Sequence, residues 1–384
     1  MDPDVKIGRR DFIKAVCLAC GAVGCGVLSD GFPGGLTGSR TLAAGQTFRK
    51  EAMFYEKRPD GMVQCQICPR QCVVGDLGRG YCDVRENVKG TYYTVVYGRV
   101  CTYHVDPIEK KPLFHFLPGT TAFSLATVGC NLDCKFCQNW EISQEKPENV
   151  QASSLSPDDV VAGSLGSKAP TVAFTYTEPT VWYEYMLDIA RRAKSVALRS
   201  VMISSGYMRR DPMVLLAQEL DAIKVDLKSY SQDFYEKICN ADLRPVLDTI
   251  VTVKKSGTWL EIVYLVIPTL NDGEKDIDAM AKWTMENVGP DVPIHFTRFY
   301  PTYKLTNLPP TSVSAVDRAR QIAMARGLRY VYVGNVPSGH PGESTYCPGC
   351  GQVVIGRAGY TIQAINLTGG KCSKCGTMIP GVWA

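Results

Sequence analysis

Three cysteines stand close together in "CNLDCKFC", Cys130 to Cys137. With three residues and then two between them in one tight loop, Cys130, Cys134 and Cys137 can take three corners of a [4Fe–4S] cluster. A ferredoxin-type cluster needs four protein ligands, and so does a closed zinc site. No fourth cysteine follows close by in the chain. Three thiolates and one open iron make a site that acts on a bound molecule. The competing reading is a zinc ion completed by a distant residue such as His295 or Cys101, and it ranks second.

Something must hold this loop in place, and a strand–helix alternation begins near Thr121. Six apolar runs read as strands: "TAFSLATVG", "TVAFTYT", "SVMISSG", "AIKVDLK", "LEIVYLVIP" and "IHFTRFY". Strands buried on both faces of a parallel sheet are apolar almost throughout, as these are. Helix signals lie between them. Ser156-Pro157-Asp158-Asp159 supplies an N-cap, a first-turn proline and acids at the positive dipole end. "TVWYEYMLDIARRAKSV" follows the second run and "DIDAMAKWTMENV" the fifth. The alternation predicts an α/β fold, a partial (β/α)6 TIM-like barrel over residues 121–337.

In such barrels chemistry sits where the strands end. The first run leads into the cysteine loop. The second ends at Glu178, the third at Ser204, Ser205 and Gly206, where glycine permits close approach. In "KVDLK", Asp226 and Lys228 alternate with apolar neighbours and share one face. If that face is interior, the pair is costly unless functional or mutually satisfied. The fifth run brings Asn271 and the sixth His295 and Arg298, although a lone histidine is more often structural.

"CNLDCKFC" resembles the CxxxCxΦC signature of the radical S-adenosylmethionine (SAM) enzymes, with Phe136 at the aromatic position. The resemblance implies that the open iron chelates SAM and that one-electron reduction yields a 5′-deoxyadenosyl radical. It implies a SAM-side role for Phe136, Glu178, Ser204, Ser205, Asp226, Lys228 and Asn271, and a SAM- or substrate-side role for His295 and Arg298. Longer strings, among them "VDPIEKKPLFHFLPGT", "KVDLKSY", "HFTRFYPTY" and "YVYVGNVP", resemble the AmmeMemoRadiSam-system radical SAM family, related to the pyruvate formate-lyase activating enzymes. The expected activity is hydrogen abstraction from an unidentified substrate, a protein among the options, with glycyl-radical-enzyme activation as the alternative. A one-electron donor such as ferredoxin or flavodoxin is the expected partner. A non-catalytic zinc-rich scaffold or nucleic-acid-binding protein is the rival of another class. It should have lost the triplet, Glu178 or the Asp226/Lys228 pair, and all are present.

Sixteen cysteines in 384 residues are many, and most are clustered. A disulfide-stapled domain is usually short and core-poor, so close spacing in a long chain points to metals. Cys65, Cys68, Cys72 and Cys82 mark a small N-terminal four-cysteine β domain over residues 46–120. Its four ligands allow zinc, put first, or a second iron–sulfur cluster; paired disulfides are the third reading. Cys347, Cys350, Cys372 and Cys375 form two Cys-x-x-Cys knuckles, each followed by glycine, and predict a zinc-ribbon-like module over 338–384. Cys101 and Cys239 stand alone and read as buried apolar residues.

The net charge of +4, with no basic run, is too weak to argue for a nucleic-acid partner or an anionic membrane. Arg9 and Arg10 before a short apolar run resemble a twin-arginine signal over residues 1–45, which predicts export in folded form, with the cytoplasm as the alternative. No apolar stretch is long enough to predict a transmembrane helix.

Overall fold

A computed structural model of the protein describes residues 48–384. The signal-type segment assigned to 1–45 lies outside them. The described part belongs to one compact unit. Among the described residues no helix is long and apolar enough to cross a membrane.

One eight-stranded sheet dominates. Its strands are β1 (Thr102–Pro107), β2 (Thr121–Ala126), β3 (Thr171–Phe174), β4 (Arg199–Ser204), β5 (Ala222–Asp226), β6 (Trp259–Val266), β7 (Ile294–Arg298) and β8 (Val331–Gly334). They lie side by side in chain order. β2 to β8 are parallel, and β1 runs antiparallel along β2. All six predicted runs are strands of this sheet. Two further strands extend it beyond the six predicted. β8 is only four residues long, too short for its pattern to stand out. β1 is a largely exposed edge strand, drawn from the segment read as the first domain.

Six helices connect the strands: α1 (Pro157–Gly166), α2 (Tyr183–Lys194), α3 (Arg210–Ala217), α4 (Leu243–Ser256), α5 (Glu274–Asn287) and α6 (Val313–Ala325). α1 starts as its sequence predicts. Ser156 Oγ accepts from the Asp159 amide, and the Asp159 carboxylate accepts from the Ser156 amide. That reciprocal cap satisfies two otherwise orphaned donors. A single turn over Pro179–Trp182 precedes α2, so the helix begins later than its apolar pattern.

The two cysteine modules are built into the barrel. Phe116 bridges to Val382, and Phe114, Tyr330, Tyr332, Cys347, Val354 and Ile379 form one apolar cluster. His115 is sealed inside it, 2.5 Å from the Tyr332 hydroxyl and 2.6 Å from the Pro380 carbonyl. On the other side, Arg85 of the N-terminal region pairs with Glu184 of α2 at 2.5 Å, both essentially without solvent contact. Glu184 also accepts the Met53 amide at 2.7 Å. Removing one member of a buried pair strands the other charge. Glu184→Ala should therefore cost about 3–5 kcal/mol in urea denaturation. A loss below about 1 kcal/mol, the range of an exposed pair, would contradict this account.

Candidate active site at the carboxyl edge of the sheet

Parallel strands put all their C-terminal ends on one edge, and the predicted residues meet there. Cys130, Cys134 and Cys137 line a cavity of about 540 Å³. Phe136, Glu178, Ser204, Ser205, Asp226, Lys228 and His295 line the same cavity. Its volume lies within the usual range for small-molecule sites.

The cysteine loop is held from several directions. The amides of Asp133 and Lys135 donate to the carbonyls of Cys239 and Ile238 at 3.1 and 3.0 Å. Those carbonyls belong to a π-helical turn, Tyr235–Cys239, a distortion common near functional sites. Arg70 Nε donates to the Asn131 carbonyl at 2.6 Å, and Gln144 Nε2 to that of Leu132 at 3.0 Å. The Leu132 amide points at Cys130 Sγ, 3.4 Å away. Cys239 is fully buried, but its thiol lies against Cys134 and lowers that cysteine's pKa. Sequence separation hid this contact. Cys101 is half-buried and bonds the Ala126 carbonyl at 3.4 Å, so it is not the fully buried residue expected.

Burial pushes the Cys130 and Cys137 thiols up, and the neighbouring acid Glu178 adds to this at Cys130. Such thiols ionise readily only when bound to a cation. Among the described residues, no three ligand atoms of this loop gather within 4.8 Å. Converging buried thiols spread more widely than one ion requires fit a cluster, and Cys130, Cys134 and Cys137 would hold it.

Asp226 sits between two lysines. It bridges Lys228 at 3.0 Å and also pairs with Lys224. Burial opposes its charge, but the two lysines outweigh burial and hold it at about 2. Lys224 is buried too, and desolvation pulls its pKa down. It was missed in the sequence, although "KVDLK" places it on the same face as Asp226. Lys228 Nζ lies 6.0 Å from the Phe136 ring centre and feels the Cys134 thiol.

Glu178 is surrounded by donors. Its two oxygens accept from Thr180 N and Oγ1, Ser204 Oγ, and Ser205 N and Oγ at 2.7–3.1 Å. That fills the acceptor capacity of a carboxylate. Each serine oxygen also accepts an amide, Gly206 N at 2.9 Å for Ser204 and Tyr207 N at 3.4 Å for Ser205, and keeps one lone pair free. Gly206 has φ +71, and a Cβ there would stand 2.8 Å from Val225 Cγ1. Gly206→Ala should cost about 1–3 kcal/mol by crowding β5, read by thermal melting; an unchanged melting temperature would refute the close approach.

His295 donates from Nε2 to the Glu261 carboxylate, 2.7 Å away, deep in the barrel. Burial lowers its pKa more than Glu261 raises it, so the ring is neutral near pH 7. Glu261 also accepts the amides of Phe114 and His115 at 3.0 and 2.8 Å, tying the linking segment to β6. Cys101, one ligand of the zinc alternative, bonds the Ala126 carbonyl, and His295, the other, meets Glu261 through Nε2. Asn271 and Arg298 do not line the cavity. The Asn271 amide is used on the carbonyls of Lys228 and Leu265 and the amide of Ile267. Arg298 donates to the carbonyls of Thr311 and Asn335 at 2.6 and 3.2 Å. Both lock loops at the sheet edge.

Lys110 and Lys111 reach the cavity wall from the segment after β1. Lys111 is buried, and desolvation brings it down to about 8 despite its pairing with Asp106 at 2.5 Å. Tyr176 also donates to Asp106, at 2.5 Å. Asp106, Lys110 and Lys111 are close in sequence, but Tyr176 joins them only in the fold, where β1 meets the end of β3.

At the C-terminus, the sulfurs of Cys347, Cys350, Cys372 and Cys375 all lie within 4.8 Å of one another. Two pairs stand 3.5 and 3.8 Å apart. The N-terminal cysteines surround a separate small cavity.

Residues 124–283 match the Radical SAM superfamily. This chain belongs to the radical SAM superfamily. Uncharacterized protein MJ0808 of Methanocaldococcus jannaschii is 45% identical over 86% of this chain and 98% of its own length. Pyruvate formate-lyase-activating enzyme of Clostridium pasteurianum is 24% identical over 40% of this chain and 65% of its own. A solved domain of a pyruvate-formate lyase-activating enzyme from Bacteroides vulgatus overlays with a TM-score of 0.38 and 20% identity, covering 43% of this chain and 98% of that one. Membership of the radical SAM superfamily implies a [4Fe–4S] cluster and SAM as cofactors.

Proposed function

We propose that Cys130, Cys134 and Cys137 hold a [4Fe–4S] cluster that cleaves SAM reductively, and that a substrate in the same cavity gives up a hydrogen atom. When bound, the cluster and SAM supply a 5′-deoxyadenosyl radical. The observation that carries this reading is one cavity shared by the cysteine triplet, the Glu178–serine group and the Asp226–lysine group.

The chain's own groups have defined tasks. Asp226 stays ionised near neutral pH, which keeps Lys228 charged beside the cysteine loop. Ser204 and Ser205 hand their protons to Glu178 in hydrogen bonds and present oxygen lone pairs to an ammonium group. Asn271 and Arg298 hold the edge loops that frame these groups. Lys110 and Lys111, with neutral His295, are polar contacts for the substrate. The long strings from "VDPIEKKPLFHFLPGT" to "YVYVGNVP" support an AmmeMemoRadiSam-system type within the superfamily. The names of the 24%-identical relatives support glycyl-radical-enzyme activation as the second reading. The C-terminal sulfur spacing supports zinc there, since four sulfurs about 2.3 Å from one ion stand under about 4 Å apart. A ferredoxin- or flavodoxin-type donor would supply the electron.

Anaerobic reconstitution with iron and sulfide, reduction with dithionite and addition of SAM should release 5′-deoxyadenosine. A cluster that forms while SAM neither binds nor is cleaved would end this proposal. A glycyl-radical electron paramagnetic resonance (EPR) signal on an added partner protein would select the activase reading.

A further inference from the structure

We infer that Cys65, Cys68, Cys72 and Cys82 hold a second [4Fe–4S] cluster that feeds electrons to the triplet site. The relay rests on the proposed SAM chemistry; the metal assignment stands without it.

The structure contains two four-cysteine sites, and they differ in size. The C-terminal four gather all their sulfurs within 4.8 Å, as zinc requires. Among the described residues, no three of the N-terminal sulfurs come that close. They frame instead a cavity of about 20 Å³ in which a water-sized sphere fits. Sulfurs about 2.3 Å from a zinc ion leave no room for such a sphere. A cubane sets its four thiolates at the corners of a wider tetrahedron. None of the four cysteines is disulfide-bonded in this structure.

The walls also suit a cluster. Ile67 and Val181 give the hollow an apolar wall. Arg85 lines it as well and is 1% exposed. Its Nη2 is taken by Glu184, but its Nη1 has no partner. A buried cationic donor left free beside four thiols is matched by the net negative charge of a thiolate-ligated cluster. The Tyr81 amide already points at Cys72 Sγ from 3.4 Å. Donors of this kind tune a cluster's potential.

The position suits a relay. Asn131, the residue after Cys130, lines the same hollow. Gly129 has φ +104, and a Cβ there would lie 2.9 Å from the Cys82 carbonyl and 2.8 Å from Val84 Cγ1. The two cysteine segments are therefore packed directly against each other. One electron leaves the reduced N-terminal cluster, which returns to its 2+ state, and the triplet cluster goes from 2+ to 1+. A one-electron protein donor of the ferredoxin or flavodoxin class restores the first. No proton or atom is exchanged.

The test uses the full chain and its Cys130→Ala/Cys134→Ala/Cys137→Ala variant, both reconstituted anaerobically. About eight iron atoms per chain are expected in the wild type and about four in the variant, which should still give an EPR signal on reduction. No iron in the variant, or zinc beyond one atom per chain, would overturn the cluster. Cys68→Ala/Cys72→Ala should keep dithionite-driven SAM cleavage and lose ferredoxin-driven cleavage by about tenfold or more. Equal rates with the two donors, or equal losses, would overturn the relay; circular dichroism checks that both variants fold. Eight irons without any SAM cleavage would sink the proposed function and leave the second cluster standing.

Discussion

Cys134→Ala should abolish 5′-deoxyadenosine formation while leaving the barrel folded. Cys134 is one of three thiols that line the cavity. Burial raises the pKa of Cys130 and Cys137, whereas the Cys239 thiol lowers that of Cys134. Chromatography of the quenched reaction is the readout, with iron content measured on the same sample. A variant that still cleaves SAM would refute the ligand assignment. Cys239→Ala is the contrast. It keeps all three ligands and removes a donor to the Cys134 sulfur, so the cluster should assemble and its reduction potential should fall. An unchanged potential by EPR-monitored titration would mean that Cys239 only fills space.

Asp226→Asn should be the most damaging change to the cavity wall. It leaves Lys224 and Lys228 facing each other without their shared carboxylate. Breaking a buried ion group in this way costs about 3–5 kcal/mol. Its pH dependence identifies the cause. The folded pKa of Asp226 is about 2, below the ordinary 3.8. A depressed carboxyl contributes its stability fully above the unfolded value and loses it as pH falls through the folded one. The stability gap between wild type and variant should thus be constant near neutrality and narrow between pH 3.8 and about 2. Urea denaturation across that window measures it. A gap independent of pH would show that the loss comes from packing and not from charge.

The cysteine triplet was legible because its three members share one short loop, so spacing in the chain is spacing in the site. The six strands were legible for a similar reason. Residues buried on both faces of a parallel sheet are apolar in unbroken runs. Asp226 and Lys228 followed from the two-residue period of a strand, and Lys224 needed only the same rule applied one step earlier.

Partnerships between strands were not legible. Glu261 meets His295, Asp106 and Lys111 meet Tyr176, and Cys239 meets Cys134 only because segments far apart in the chain pack together. Asn271 and Arg298 sit at strand ends as predicted, but their side chains turn to loop carbonyls, where unpaired backbone acceptors need donors. The sequence by itself determined the alternating sheet, the loop that carries the triplet and the two flanking cysteine sets. Only the tertiary structure decided how far apart the sulfurs of each set stand. That distance depends on which segments fold against one another, and among the described residues only the C-terminal four sulfurs gather within 4.8 Å.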